Sequence, residues 1–420
     1  MRRTATEPDT LGRAGREFFA TRTVAEALAG FRPARRTPAE TVAITDALRR
    51  IPAAPVTAAH PLPGFARSTV DGYAVRAADT YGVSEGLPGY LDVAGAIRMG
   101  AAPDVAVSPG TAVAMPTGGM LPPGADAVVM VEYTAEAMSG TIEVVRPVAP
   151  GDGVIRADED AAPGTAIVPA GRPLRAQDLG MLAAAGVTSV TVHARPVVTV
   201  FSTGDEVVPP DTTALMPGQV RDATAVALAA LITEAGGDPV PGGIVADDPG
   251  LLEAALRPAL DGSDLIVISA GSSVGARDET AAAVGRLGEP GIWCHGLAIK
   301  PGKPTLLADC AGVPVVGLPG NPRSALVVFR LIGMPLVRLV AGCALPPAEA
   351  TVRARLDRDL ASATGRLDVV QVRVSDGCAS PVFGMSALLS VLTSADGYVI
   401  IPEEATGLGA GTEVDVTLYR

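Results

Sequence analysis

The sequence predicts a multidomain α/β protein, in which a doubly wound parallel sheet is flanked by a β-rich insert and a C-terminal β-barrel-like module. Three observations predict it. Strand and helix patterns alternate from Pro196 to Ala341, and the strands are continuous apolar runs, as in sheets covered on both faces. Short Val-rich runs broken by Pro and Gly turns fill Pro52 to Asp160, and a β pattern returns after Pro346. At 420 residues the chain is too long for one core, so three or four domains are expected.

The elements follow in order. Residues 1–16 are polar and Arg/Gly-rich and read as a disordered tail. Thr23 to Phe31 has Val24, Ala27 and Leu28 on one helical face, and Thr41 to Arg50 gives a second helix pattern. Asp126–Glu132 and Thr141–Val145 are strands of the insert, and helical pattern returns at Arg175–Gly186. Val197–Phe201 is a buried strand, followed by the helix Ala223–Ala235, closed by Gly236 and Gly237. Asp264–Ser269 is a central strand, followed by a glycine-bearing turn and a helix near Glu279–Leu287. Gly312–Leu318 leads into a helix over Asn321–Ala341. Val369–Val374, Gly397–Ile401 and Glu413–Leu418 are the strands of the last module.

Composition excludes several function classes. The chain is 48% hydrophobic and 19% charged, the balance of a soluble globular protein. Aromatics are only 3%, so stacking platforms for single-stranded nucleic acid are not expected. The net charge of −12 argues against a nucleic-acid or membrane-surface binder. An anionic small molecule then requires locally focused positive charge. Cys294, Cys310, Cys343 and Cys378 are scattered without a CxxC, and His60, His193 and His295 lack ligand-type spacing. Neither set makes a zinc site. The most apolar stretch, Ser324–Val340, is interrupted by Arg330, Pro335 and Arg338 and reads as a buried helix rather than a membrane span. No apolar segment follows Met1-Arg2-Arg3, so a cytoplasmic protein is expected.

Only two of the 33 basic residues are lysines, and they sit three apart in Lys300-Pro301-Gly302-Lys303-Pro304. In so arginine-biased a chain, this pair marks a site that wants compact, strongly hydrated point charges, as a phosphate or another tetrahedral dianion does. Further small-residue turns lie at strand ends. They are Ser202-Thr203-Gly204-Asp205-Glu206, Ser269-Ala270-Gly271-Ser272-Ser273-Val274-Gly275, and Leu318-Pro319-Gly320-Asn321-Pro322. Such turns offer backbone N–H groups and hydroxyls to an anion. Asp205, Glu206, Asp247, Asp248 and Asp278 also fall just after strands. Carboxylates beside a phosphate turn repel the ligand unless a cation bridges them, which points to a Mg²⁺-bridged phosphate site. Asp247-Asp248-Pro249 is equally well read as a helix N-cap. Asp71-Gly72 and Thr117-Gly118 are, taken alone, ordinary turns.

Together these motifs resemble the molybdopterin molybdenumtransferase family, the MoeA and gephyrin E-domain type, from about residue 20 to the C-terminus. The motifs are DGYAV at Asp71, PTG at Thr117, STGDE at 202–206, the Gly/Ser turn at 269–275, KPGKP at 300–304 and LPGNP at 318–322. The resemblance implies a molybdenum insertase that joins molybdate to adenylylated molybdopterin with Mg²⁺-dependent release of AMP. It implies an extended helical linker and dimerisation domain (17–57 and 164–193), a β-rich insert (58–163), a molybdopterin-binding sheet domain (194–345) and a C-terminal β-barrel (346–420). It also implies a homodimer whose site is shared between subunits, with other cofactor-assembly proteins as candidate partners.

By motif position the resemblance assigns catalytic roles to Asp71, Thr117, Glu206, Asp247, Asp278, Lys300 and Lys303, with Glu206 and Asp278 as Mg²⁺ ligands. Substrate binding falls to Asp160, Thr203, Gly204, Ser269, Gly271, Ser272, Ser273 and Gly275. It falls also to Pro301, Pro319, Gly320, Asn321, Arg366 and Ser386. The chain departs from the family at Ala270, at Asp222-Ala223-Thr224, and at Gln371, where an arginine is common. Two other functions compete: a molybdopterin adenylyltransferase, which uses the same sheet fold, and a non-catalytic molybdopterin-binding scaffold. The chain's length and the Asp71/Thr117 insert count against the first, and the intact acidic set and KPGKP count against the second.

Overall fold

Six strands form the central sheet in the order Asp238–Val245, Val197–Thr203, Leu265–Ser269, Val313–Leu318, Leu306–Cys310 and Pro290–His295. The computed structural model describes residues 21–270 and 274–419, with side chains for all of these except 274–278. The first four strands are parallel and pair Thr203 with Val245, Ser202 with Ser269 and Ser269 with Leu318. Their carboxyl ends therefore finish at one level. The strand order reverses between Val197–Thr203 and Leu265–Ser269, the point at which such sheets open a ligand crevice.

Alternate residues of each strand serve two cores, which explains the continuous apolar runs. Leu265 and Val267 pack with Leu228, Ile232 and Phe329, whereas Ile266 and Ile268 pack with Leu252, Leu256 and Val284. The sheet is not wholly parallel, as the sequence had suggested: Leu306–Cys310 runs against both its neighbours. Ala311 and Gly312, at φ 53° and 85°, form a two-residue loop of the kind that joins hairpins. The helix after Asn321 runs through Pro322–Val328, a π turn at Phe329–Gly333, and Met334–Val340. The π turn lies just before Pro335, whose ring and missing N–H a regular helix does not admit.

The helix Val24–Gly30 is capped reciprocally by Thr23 and Glu26. Its face of Val24 and Ala27, with Phe31 beyond it, joins the core of the central sheet. The expected second helix over Thr41–Arg50 does not form. Ala39–Ala43 is a strand paired with Ser189–His193, and only Ile44–Asp46 makes a 3₁₀ turn. Val42 lies opposite Val190, so long-range pairing overrides the local helical preference of this Ala-rich segment. The helix Ala176–Ala184 packs nearby, in a small core of Ala47, Leu174, Leu182 and Val192.

Asp178 in that helix is 6% exposed and accepts from Arg172 Nη1 and Nη2 at 2.8 Å and from Arg175 Nε at 3.0 Å. Burial pushes its carboxyl up, but the arginine hydrogen bonds outweigh this and hold it well below the usual carboxylate range. A depressed folded-state pKa contributes stability that is present above the unfolded value, about 3.9, and is lost as pH falls through the folded value. Asp178→Ala is therefore expected to cost about 2–3 kcal/mol at pH 7. In denaturant melts the gap from wild type should narrow as pH falls below about 4.

The insert is a second six-stranded sheet, ordered Ala127–Met130, Gly72–Val75, Thr111–Met115, Gly89–Ala96, Thr141–Val144 and Thr134–Met138. The C-terminal strands close a five-stranded barrel. Leu367–Ser375 pairs Cys378–Pro381, then Thr351–Leu356, Glu413–Leu418 and Gly397–Ile401 follow, and the last returns to Leu367–Ser375. Among the described residues no helix is long and apolar enough to cross a membrane.

Candidate functional site

A two-residue strand brings the lysine turn to the barrel. Ile299–Lys300 pairs in parallel with Leu367 and Asp368, so KPGKP is held between the sheet and the C-terminal barrel. Leu297 N donates to the Lys303 carbonyl at 2.8 Å, and Thr305 Oγ1 donates to the Gly302 carbonyl at 2.7 Å. Gly302 has φ 124°, and a Cβ there would lie 2.2 Å from Val328 Cγ2. Gly302→Ala combines a disfavoured backbone conformation with overpacking. It should cost about 2 kcal/mol in thermal unfolding and displace both lysines.

The turn lines a cleft of about 800 Å³. Lys300, Pro301 and Lys303 face Arg366 and Ser386 from the barrel side and Pro319 and Asn321 from the sheet. Arg323 also lines it, so the cleft carries four cations against one carboxylate, Asp368. In a chain of net charge −12 this is a local focus of positive potential. Asp368 is 4% exposed and accepts from Arg366 Nε at 2.8 Å, with Lys300 Nζ 3.9 Å away. Lys303 has no ion-pair partner among the described residues. Sequence reasoning missed Asp368, which lies at the start of Leu367–Ser375, two residues after Arg366. It also missed Arg323, for which no motif gave a signal.

The carboxyl ends of the parallel strands form a separate, acidic region. Asp247 N donates to Asp205 Oδ1 at 3.2 Å. Burial pushes the Asp247 carboxyl up, and Glu206, Asp205 and Glu279 push it further. Asp248 is the N-cap of Pro249–Gly262, accepting from Gly250 N and Leu251 N at 2.8 Å. The two readings of Asp247-Asp248 thus divide between the residues, and Asp247 remains with the acidic group. Among the described residues no three His, Cys, Asp or Glu side chains converge enough to hold a metal ion by themselves. Mg²⁺ needs only one or two carboxylates when phosphate oxygens and waters complete its shell. An all-oxygen, like-charged group with no ion-pair partner among the described residues fits that role.

Thr203 and Ser269, both buried, end their strands beside Gly204 and Ala270. The Pro319-Gly320-Asn321 turn links the two regions. Ala270 N donates to the Leu318 carbonyl at 3.2 Å, and Pro319 and Asn321 line the cleft. Asn321 makes no side-chain cap to its helix. Gly271, Ser272 and Ser273 lie outside the described residues. Gly275 and Asp278 fall in the helix Val274–Gly285, with Asp278 among the positions whose side chains are not described.

The insert supplies a third cluster. Pairing of Gly72 with Met115 sets Asp71 beside Thr117. Asp71 Oδ1 accepts from Thr117 N at 2.7 Å and Thr117 Oγ1 at 3.0 Å. The backbone bond first, then the hydroxyl, holds this exposed carboxyl below its usual range. Glycine is required next to it, because a Cβ at Gly72 would lie 1.9 Å from the Val129 carbonyl oxygen. Asp160 is exposed on a turn, its N–H bonded to the Leu62 carbonyl at 2.9 Å. The cleft lining contains no residue from 58–163, so one chain does not bring this cluster to the lysines.

Comparisons with known proteins agree along the chain. Residues 22–186 match the MoeA N-terminal region (domain I and II), 199–339 a probable molybdopterin binding domain, and 353–419 the MoeA C-terminal region (domain IV). Molybdopterin molybdenumtransferase 2 of Mycobacterium tuberculosis is 35% identical over 404 residues, covering 94% of this chain and 97% of the relative. The molybdopterin molybdenumtransferase of Bacillus subtilis is 32% identical, over 91% and 90% of the two chains. The crystal structure of the molybdopterin biosynthesis MoeA protein from Pyrococcus horikoshii OT3 aligns with a TM-score of 0.82 at 29% identity. It spans 95% of this chain and all of that one.

Proposed function

This chain belongs to the molybdopterin molybdenumtransferase family, and we propose that it inserts molybdate into adenylylated molybdopterin, with AMP leaving in a Mg²⁺-dependent step. One observation carries the reading. A cleft with four cations and one carboxylate adjoins, through Pro319–Asn321, an acidic strand edge that suits a cation-bridged phosphate.

Molybdate is the anionic substrate of the cleft. Lys300, Lys303 and Arg366 offset its charge, and Ser386 orients an oxygen. The pterin nucleotide lies along the strand ends, its phosphates toward Thr203, Gly204, Ser269 and the turn Gly271–Gly275. Glu206, Asp247 and Asp278 would hold Mg²⁺, which supplies charge neutralisation and polarisation of the bridging phosphates. Asp71, Thr117 and Asp160 complete the site of a second copy, which makes a homodimer the working unit. The exposed Asp71–Thr117 pair, remote from its own chain's cleft lining, supports this arrangement. The cytoplasm is the proposed compartment.

The test is to incubate purified protein with adenylylated molybdopterin, Mg²⁺ and a titration of molybdate, and to follow AMP by chromatography. Molybdate-dependent AMP is the expected result, and a tungstate series reads oxyanion preference. Tight pterin binding without AMP at any oxyanion level would favour the scaffold. ATP-dependent adenylylation of molybdopterin would favour the adenylyltransferase.

A further inference from the structure

Arg323 stands apart from the other cations of the cleft. It follows Pro322 at the start of Pro322–Val328 and is partly buried. Its Nε donates to Gln371 Oε1 at 2.7 Å and its Nη1 to the Gly384 carbonyl at 2.7 Å. Both acceptors are neutral. Among the described residues Arg323 has no ion-pair partner, whereas Arg366 in the same cleft is paired with Asp368. Its Nη2 has no acceptor among the described residues. Burial pushes the guanidinium down, so the cation is held partly desolvated with no counter-charge among the described residues.

Gln371 is fully buried, and its Nε2 lies beside the Tyr419 phenol and has no other acceptor among the described residues. The bond its Oε1 makes is the one that fixes Arg323.

We propose that Arg323 presents the Nη2 side of its guanidinium to a tetrahedral oxyanion in this cleft, with Gln371 as its positioning residue. The inference rests on reading the cleft as an oxyanion site. Anchoring Nε and Nη1 fixes the plane of the fork, and a planar, weakly hydrated, unpaired guanidinium gains more from an anion than a solvated ammonium does. The oxyanion is either the free metal oxyanion or a phosphate of the pterin nucleotide.

The test compares wild type with Arg323→Gln, Arg323→Lys and Gln371→Met. Calorimetry measures binding of molybdate alone and of inorganic phosphate alone. Steady-state AMP release is run with molybdate and with nucleotide varied, and melting temperatures are recorded alongside. Arg323→Gln should weaken oxyanion binding about tenfold and raise the corresponding KM more than it lowers kcat. Arg323→Lys should recover part of this. Gln371→Met, which removes no charge, should shift the same constant by a smaller factor. A change confined to molybdate identifies the free oxyanion, and one confined to phosphate and nucleotide identifies the nucleotide. Unchanged binding constants and KM values in Arg323→Gln would overturn the proposal, as would a loss that merely follows the melting temperature and is not recovered by lysine. Binding of molybdate or phosphate alone needs no turnover. A wild type that binds through Arg323 yet releases no AMP sinks the transferase reading only, and a wild type whose turnover ignores Arg323→Gln sinks this inference only.

Discussion

Lys303→Ala lowers kcat/KM for molybdate about 100-fold and leaves the melting temperature within about 1 °C of wild type. The asymmetry follows from the geometry. Lys303 is exposed, so its truncation breaks no ion pair or side-chain hydrogen bond among the described residues. It does remove one of four cations lining a cleft with a single carboxylate. Lys300 differs, because its strand pairing sets it opposite Asp368, with Nζ 3.9 Å from that carboxylate. Lys300→Arg keeps the charge but adds a bulkier, planar head beside Arg366, which already occupies Asp368. A roughly tenfold loss of turnover is expected from Lys300→Arg. Wild-type kinetics in both variants would mean that the paired lysines are surface residues.

Glu206→Gln raises the Mg²⁺ concentration for half-maximal AMP release about tenfold without loss of stability. Glu206 is the first of the charged neighbours that push the Asp247 carboxyl up. Making it neutral relieves like-charge crowding, so the apo protein should melt no lower than wild type. The same substitution removes a charge from the proposed metal site, so the metal titration should move to higher concentration. Asp278→Asn, at the other proposed metal ligand, should abolish AMP release. An unchanged Mg²⁺ requirement in Glu206→Gln would remove the strand-end carboxylates from metal binding.

Much of this site could be read before any coordinates. The lysine pair stood out because the rest of the chain is so arginine-biased, and the strand-end turns stood out because apolar runs end abruptly in Gly, Ser and Asp. Those are local signals. What joins them is not local. Lys300 meets Asp368 only because a two-residue strand adds to a barrel 68 positions further along the chain, by the pairing of those two residues. Nothing within reach of either residue encodes that. Arg323 looked like an ordinary first-turn helix residue, and its meaning comes from Gln371 and Gly384 on the barrel side. The Thr41–Arg50 segment was misread for the same reason, since its strand partner is Ser189–His193. Conversely, Ala223–Ala235 was legible to the residue, because Asp222 caps one end and Gly236 at φ 95° closes the other.

The central claim is that the cation-rich cleft between sheet and barrel is where the metal oxyanion binds. The most direct test is anomalous diffraction from crystals of the protein soaked in tungstate. A tungsten peak within contact distance of Lys300, Lys303, Arg366 and Ser386 is the predicted result. A well-occupied peak elsewhere, with none in this cleft, would contradict it.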